Sequence, residues 1–204
     1  MSISYEEIEM QNRMLCGEFG MEKESLRTDE KGEISLKPHL HIDEKHVQRD
    51  FAESQVELIT GVSYSASELY HEIGNLQKKV AQALYHRESG TEYLWPFSNP
   101  PYISDCSQID VAKFEKEDLK KQEYREYLAE KYGKSKMLLS GIHINFSFPE
   151  ATLKLAYQKS ADKEEKSYRE YKNEVYLELA KKLTKYSWLI VYLTAASPVM
   201  DGSF

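Results

Sequence analysis

Cysteine is nearly absent: the 204 residues carry two, Cys16 and Cys106, too far apart to suggest a disulfide framework or a CxxC metal site. A reducing, cytoplasmic setting is the expectation. Glycine and proline are also scarce, at nine and six, and there is no low-complexity linker or internal repeat, so residues 1–204 are expected to form a single domain. The longest apolar run, Trp188 to Leu193, falls far short of the roughly 20 residues that cross a bilayer. The N-terminus MSISYEEIEMQNRML lacks the basic-then-apolar order of a secretory signal. No membrane association is expected. No GxxxxGK[ST] or strand-following GxGxxG loop is present, so a bound nucleotide would need holding by other means. Excess positive charge is missing too. The net charge is −7, and acidic and basic residues interleave through 113–136, which argues against nucleic-acid partners.

What is present is 41% hydrophobic and 30% charged residues, the balance of a folded globular chain. Period-two and helical runs alternate, which predicts an α+β domain. Residues 17–27 place Glu18, Gly20, Glu22 and Glu24 on one face of an extended strand. A turn at Asp29–Gly32 leads to a short returning strand at Glu33–Leu36. Residues 51–60 repeat the pattern, with Glu53, Gln55 and Glu57 sharing a face. Residues 65–87 carry Leu69, Ile73, Leu76, Val80 and Leu84 at helical spacing. The proline-rich 94–104 segment predicts a loop, residues 116–132 a charged helix ending near Gly133, and 141–148 a strand with His143, Asn145 and Ser147 opposite Ile142, Ile144 and Phe146. A last long helix presents Tyr168, Tyr171, Val175, Leu179 and Leu183 as its buried stripe and runs on into YSWLIVYLTAA.

An isolated ExE on a strand is ordinarily a solvated sheet face. Three polar-faced strands side by side, however, would gather several carboxylates and one imidazole around a common cavity. Such carboxylates repel and drift toward protonation unless a hard divalent cation keeps them ionised. Magnesium bound to nucleotide phosphates suits this donor set better than zinc, given one candidate histidine and no nearby cysteine.

At Phe19–Arg27, FGMEKESLR, the chain resembles the glutamate–cysteine ligase family, including the N-terminal half of bifunctional glutathione-synthesising enzymes. The resemblance continues in order through Asp50–Glu57, Leu94–Pro101, Tyr124-Arg125 with Tyr132-Gly133, Ser140–Ser147, and Ala196-Ser197-Pro198 with Ser203-Phe204. It implies an antiparallel sheet curved into a funnel like that of glutamine synthetase, with helices outside. It also implies ATP-dependent joining of the glutamate γ-carboxylate to cysteine through a γ-glutamyl phosphate, the first step of glutathione synthesis. By the same resemblance, Glu22, Glu24, Asp50, Glu57 and His143 bind Mg2+, with Mn2+ as an alternative, and Phe51, Tyr124 and Leu128 line the pocket for the cysteine side chain. Arg27 and Arg125 are added as partners for phosphate or substrate carboxylate, since a guanidinium grips such groups with two bonds. Asn145 is added as a nucleotide-side contact because it shares the face of His143.

Members of that family run for several hundred residues, so the resemblance implies a truncated chain, with a glutathione synthetase module a candidate neighbour in a parent polypeptide. Two alternatives stand beside the glutamate–cysteine reading: another carboxylate–amine ligase of the same superfamily, and an inactive fragment.

Overall fold

The computed structural model describes residues 13, 16–43, 45–115, 118–195 and 202. The expected motif residues Ala196–Pro198, Ser203 and Phe204 lie outside them. The described residues gather into two compact units: a larger one of Gly20–Val62, Ala66–Asn145 and Gly202, and a smaller one reaching up to Phe19, with Ser63–Ser65 and residues 146–195.

In the larger unit the central strand is β1 (Glu18–Thr28). It pairs antiparallel with β3 (Gln55–Ile59), which pairs in turn with the edge strand β2 (Val47–Arg49). On its other side β1 takes β4 (Tyr93–Leu94) and β5 (Ile142–Ser147). The mixed α and β content and the antiparallel pairing match the class expected from sequence.

Strand alternation sends the two sheet faces to different tasks. Odd positions of β1, in register with Val56 and Leu58 of β3, turn toward α1 (Ala66–Tyr85). All five positions of its helical stripe, Leu69, Ile73, Leu76, Val80 and Leu84, are buried, and four of them share a core with Val47, Val56 and Leu58. Even positions carry Glu22 and Glu24. At the far end of that face a second core forms from Leu26, Phe51, Ala52, Ile103, Ile109 and Leu138, against which Leu128 and Ala129 of α2 (Leu119–Tyr132) pack.

The smaller unit is built on α3 (Glu150–Lys159) and α4 (Tyr168–Thr194). Leu153 and Ala156 meet Tyr171 and Val175. Ser167 and Glu170 close a capping box at the start of α4, satisfying backbone N–H groups that would otherwise lack partners.

Several expectations are corrected. The second acidic strand starts at Gln55 rather than at residue 51, because a turn, closed by Gln55 N–H donating to the Ala52 carbonyl at 2.9 Å, precedes it. Glu53 therefore leaves the row of Gln55 and Glu57. Its carboxylate accepts the backbone N–H groups of His39 and Lys113, at 3.0 and 2.7 Å. The returning strand at 33–36 reduces to one bridge between Thr28 and Ile34. In α4 the expected stripe buries Tyr171 and Val175 but leaves Leu183 55% exposed.

Candidate functional site

The even face of β1 holds the candidate site. Glu24 lies directly across from Glu57, and Glu57 directly across from Gln48 of β2, so three polar side chains form a row over three strands; directly opposed residues have Cβ atoms about 5 Å apart. Glu22 follows one pleat along the same face. From the other side β5 delivers His143, whose Nδ1 is 3.6 Å from Glu22 Oε2 and whose Nε2 is 3.7 Å from Glu24 Oε1. Asn145 Nδ2 donates to Glu22 Oε1 at 3.1 Å.

Glu24 is fixed twice by one residue. Its N–H donates to the Gly141 carbonyl at 3.0 Å, and the Gly141 N–H donates to Glu24 Oε2 at 2.8 Å. A Cβ at Gly141 would lie 2.9 Å from His143 Nε2, so glycine is what lets the imidazole stand where it does.

The carboxylates are electrostatically frustrated. Burial pushes the Glu57 carboxyl up to about 7, with the charges of Asp50, Glu22 and Glu24 adding to the effect. Burial also raises Glu24, against the pull of the Gly141 N–H, and raises Asp50, against the nearby Arg125 guanidinium. Half-buried acids that hold their protons more tightly than ordinary carboxyls are a donor set short of positive charge. Its oxygen-rich chemistry fits a hard divalent cation. In their present rotamers, no three His, Cys, Asp or Glu side chains among the described residues are grouped so as to hold a metal ion.

Arg125, on α2, reaches this region. Its Nε donates to the Asp50 carbonyl, its Nη2 stands 4.0 Å from Asp50 Oδ1, and its guanidinium lies over the Phe114 ring at 4.8 Å. Tyr124, its neighbour on the same helix, is exposed, and Leu128 is half-buried. Phe51 is 2% exposed, a member of the core cluster against which Leu128 packs rather than an open wall.

Arg27 does not join the site. It occupies an odd position, on the opposite face from Glu22 and Glu24, and is fully buried. Its Nη1 donates to Glu92 Oε1 at 2.7 Å, and its Nη2 to the carbonyls of Lys37 and Glu53 at 2.6 and 2.7 Å. A guanidinium so occupied has no fork left for phosphate or substrate carboxylate, so the expected role is corrected to a structural one. The face thus brings together Glu22, Glu24, Glu57, His143 and Asn145, with Asp50 and Arg125 beside them.

Sequence reasoning missed Gln48 and Gly141. Gln48 sits in a three-residue strand too short to show alternation, and it also borders a cavity of about 240 Å3 shared with Arg49, Phe114 and His39. Gly141 acts through its backbone, which side-chain patterns do not record.

The glutamate-cysteine ligase family model matches residues 5–204. A glutathione biosynthesis bifunctional protein of Listeria monocytogenes is 41% identical over 98% of this chain and 26% of its own length. A glutamate–cysteine ligase of Clostridium acetobutylicum is 36% identical over 92% of this chain and 39% of its own. Among solved structures, a bifunctional glutathione synthetase from Pasteurella multocida superposes with a TM-score of 0.81 at 33% identity, covering 96% of this chain and 26% of that one. A glutamate–cysteine ligase from Francisella tularensis in complex with AMP gives 0.76 at 27%, covering 92% and 36%. The chain thus spans about a quarter of the length of the bifunctional relatives it matches.

Proposed function

This chain belongs to the glutamate–cysteine ligase family, and we propose that it supplies the metal-binding and amine-side wall of an ATP-dependent ligase that joins glutamate to cysteine. The observation that carries this reading is the carboxylate face, where Glu24 and Glu57 stand opposed and Glu57 is pushed up to about 7. In this reading Glu22, Glu24, Asp50, Glu57 and His143 hold Mg2+ or Mn2+. The bound ion supplies charge neutralisation for phosphoryl oxygens during transfer from ATP.

The remaining work belongs to the chain's own residues. Gly141 locks one Glu24 oxygen through its N–H, and the other, 3.7 Å from His143 Nε2, faces the site. Asn145 orients Glu22, and Asn145 is the nucleotide-side contact of this proposal. Arg125, tied to Asp50, holds that carboxylate near the face and offers its remaining N–H groups to an anionic substrate group. Tyr124 and Leu128 form an apolar wall suited to a small thiol, with Phe51 as its backing. Glutamate would be activated as a γ-glutamyl phosphate, whose carbonyl the cysteine amine then attacks, releasing phosphate. Residues 1–204 are part of the catalytic domain, a cytoplasmic ligase is the setting, and a glutathione synthetase module is a candidate continuation in the parent polypeptide.

The test is a chimera in which this chain replaces the matched segment of the Clostridium acetobutylicum ligase. Magnesium-dependent ADP release that requires both glutamate and cysteine is the expected result. Equal release with ammonia in place of cysteine would point to a different carboxylate–amine ligase.

A further inference from the structure

Phe114 collects cations. The Arg125 guanidinium lies 4.8 Å from its ring centre, that of Arg49 5.0 Å and the Lys121 ammonium 5.9 Å, all within the roughly 6 Å over which the face of an aromatic ring attracts positive charge. The ring is half-buried, yet it belongs to none of the three hydrophobic clusters. A phenylalanine that serves to fill space sits among apolar neighbours; this one is flanked by like charges, whose mutual repulsion the aromatic face offsets.

The ring's place is set from two sides. Residues 110–113 run beside the turn that precedes β3: Glu53 N–H donates to the Asp110 carbonyl at 3.0 Å, Ala112 N–H to the Phe51 carbonyl at 2.9 Å and Lys113 N–H to Glu53 Oε1 at 2.7 Å. On the other side the Phe114 N–H donates to Gln122 Oε1 at 3.2 Å. Gln122 and Arg125 are neighbours on one side of α2, so the helix that carries the guanidinium also holds the ring against it. Arg49 ties the same ring to the turn through Glu53, at 3.2 Å.

Arg125 has need of such a platform, because a long side chain gives up rotamer freedom when it is fixed. Its Nε donates to the Asp50 carbonyl and its Nη1 to the Lys121 carbonyl at 3.0 Å, while Nη2, 4.0 Å from Asp50 Oδ1, is beyond hydrogen-bond reach. Two hydrogen bonds leave the group free to swing about the line that joins them. The ring is the third point of contact.

We propose that Phe114 is a positioning residue for Arg125, the contact that holds its guanidinium beside Asp50 with the unengaged N–H groups kept in one place. The use of those groups rests on the reading above, that Arg125 meets an anionic substrate group on the amine side; the positioning itself can be measured without substrate.

The experiment is heteronuclear NMR of the arginine Nε–H groups of this chain, with the Arg125 signal identified by its loss in Arg125→Lys. In the native chain that signal should stand apart from those of exposed arginines, moved by the ring current, and Arg125 side-chain protons should show an Overhauser contact to the Phe114 ring. Phe114→Leu keeps apolar bulk and removes the aromatic face; it should return the signal toward the others and speed its exchange with water about tenfold. Phe114→Tyr restores the face and should restore both. A signal indifferent to leucine, or one that tyrosine does not recover, would overturn the proposal, and so would absence of the Overhauser contact in the native chain, however the variants fold. In the chimeric ligase Phe114→Leu should raise the KM for cysteine about tenfold with the KM for ATP unchanged, and Phe114→Tyr should reverse the rise. An altered signal with unchanged kinetics would uphold Phe114 as the anchor of Arg125 and remove Arg125 from substrate binding.

Discussion

Glu24 and Glu57 face each other across the β1–β3 ladder, and of the two only Glu24 is held by a backbone N–H, that of Gly141 at 2.8 Å. The difference decides which of them carries the electrostatic burden. Glu24 gains a donor that favours its charged form, while Glu57 has three neighbouring carboxylates and burial against it, and is pushed from 4.5 to about 7.

A carboxyl raised in the folded state binds more protons there than in the unfolded chain, so stability falls as pH rises from about 4.5 through about 7. Glu57→Gln removes that loss. Discounted for partial solvent exposure, the substitution should stabilise the protein by about 1–2 kcal/mol at pH 8 and by almost nothing at pH 5. Urea melts at the two pH values measure this, and an equal effect at both would sink the assignment.

Divalent cations should act in the same window. If Glu22, Glu24, Asp50 and Glu57 accept a metal ion, Mg2+ or Mn2+ at about 100 times the dissociation constant raises stability by about 2.7 kcal/mol. The gain is expected at pH 8 and should shrink toward pH 5, where Glu57 is protonated. Thermal melts with the metal and with a chelator supply the comparison. Glu24→Gln should abolish the difference.

Gly141 predicts a separation of stability from function. An added methyl would meet His143 Nε2 at 2.9 Å, the far end of an exposed ring, so Gly141→Ala should change stability by no more than about 0.5 kcal/mol. The displaced ring could no longer stand between Glu22 and Glu24. Metal-dependent stabilisation should therefore drop in this variant although the fold is intact. A loss of several kcal/mol in metal-free buffer would show that the glycine serves the backbone instead.

The residues differ in how plainly the sequence announced them. The α1 stripe was legible because five apolar residues recur at helical spacing, and all five are buried. The β1 and β5 faces were legible because strict alternation put Glu22 with Glu24 and His143 with Asn145. That same alternation placed Arg27 on the other face, and its odd number was the available warning. Glu53 was misplaced because a turn and a strand can carry the same residues, and the deciding contact, Gln55 N–H to the Ala52 carbonyl, is a backbone bond. Strands β2 and β4, of three and two residues, are too short to repeat a period-two alternation; they form by pairing with β3 and β1.

Buried Arg27 gives a stability prediction independent of the site. Glu92 is fully buried and takes Arg27 on one oxygen and Arg87 on the other. Arg27→Met leaves that carboxylate with half its counter-charge and strands the carbonyls of Lys37 and Glu53. A loss of about 3–5 kcal/mol is expected. The double variant Arg27→Met with Glu92→Leu should recover part of it, because the fully buried carboxylate is gone and only Arg87, which reaches solvent, loses a partner. Denaturant melts of both variants give the coupling directly.

The proposed thiol wall provides the test that separates substrate recognition from phosphate chemistry. Tyr124 is 60% exposed on α2, one residue before Arg125 and one turn before Leu128, so truncating it removes contact area without opening the core. In the chimeric ligase, Tyr124→Ala should raise the KM for cysteine by about tenfold with kcat and the KM for ATP little changed, the pattern left when binding common to ground and transition states is lost. Phe51→Ala, by contrast, removes a ring buried among Leu26, Ile103 and Leu138 and should cost about 3–5 kcal/mol of stability. Steady-state kinetics of the first and melts of the second distinguish a substrate wall from its backing. A parallel rise in the KM for ATP in Tyr124→Ala would move the tyrosine from the amine side to the nucleotide side.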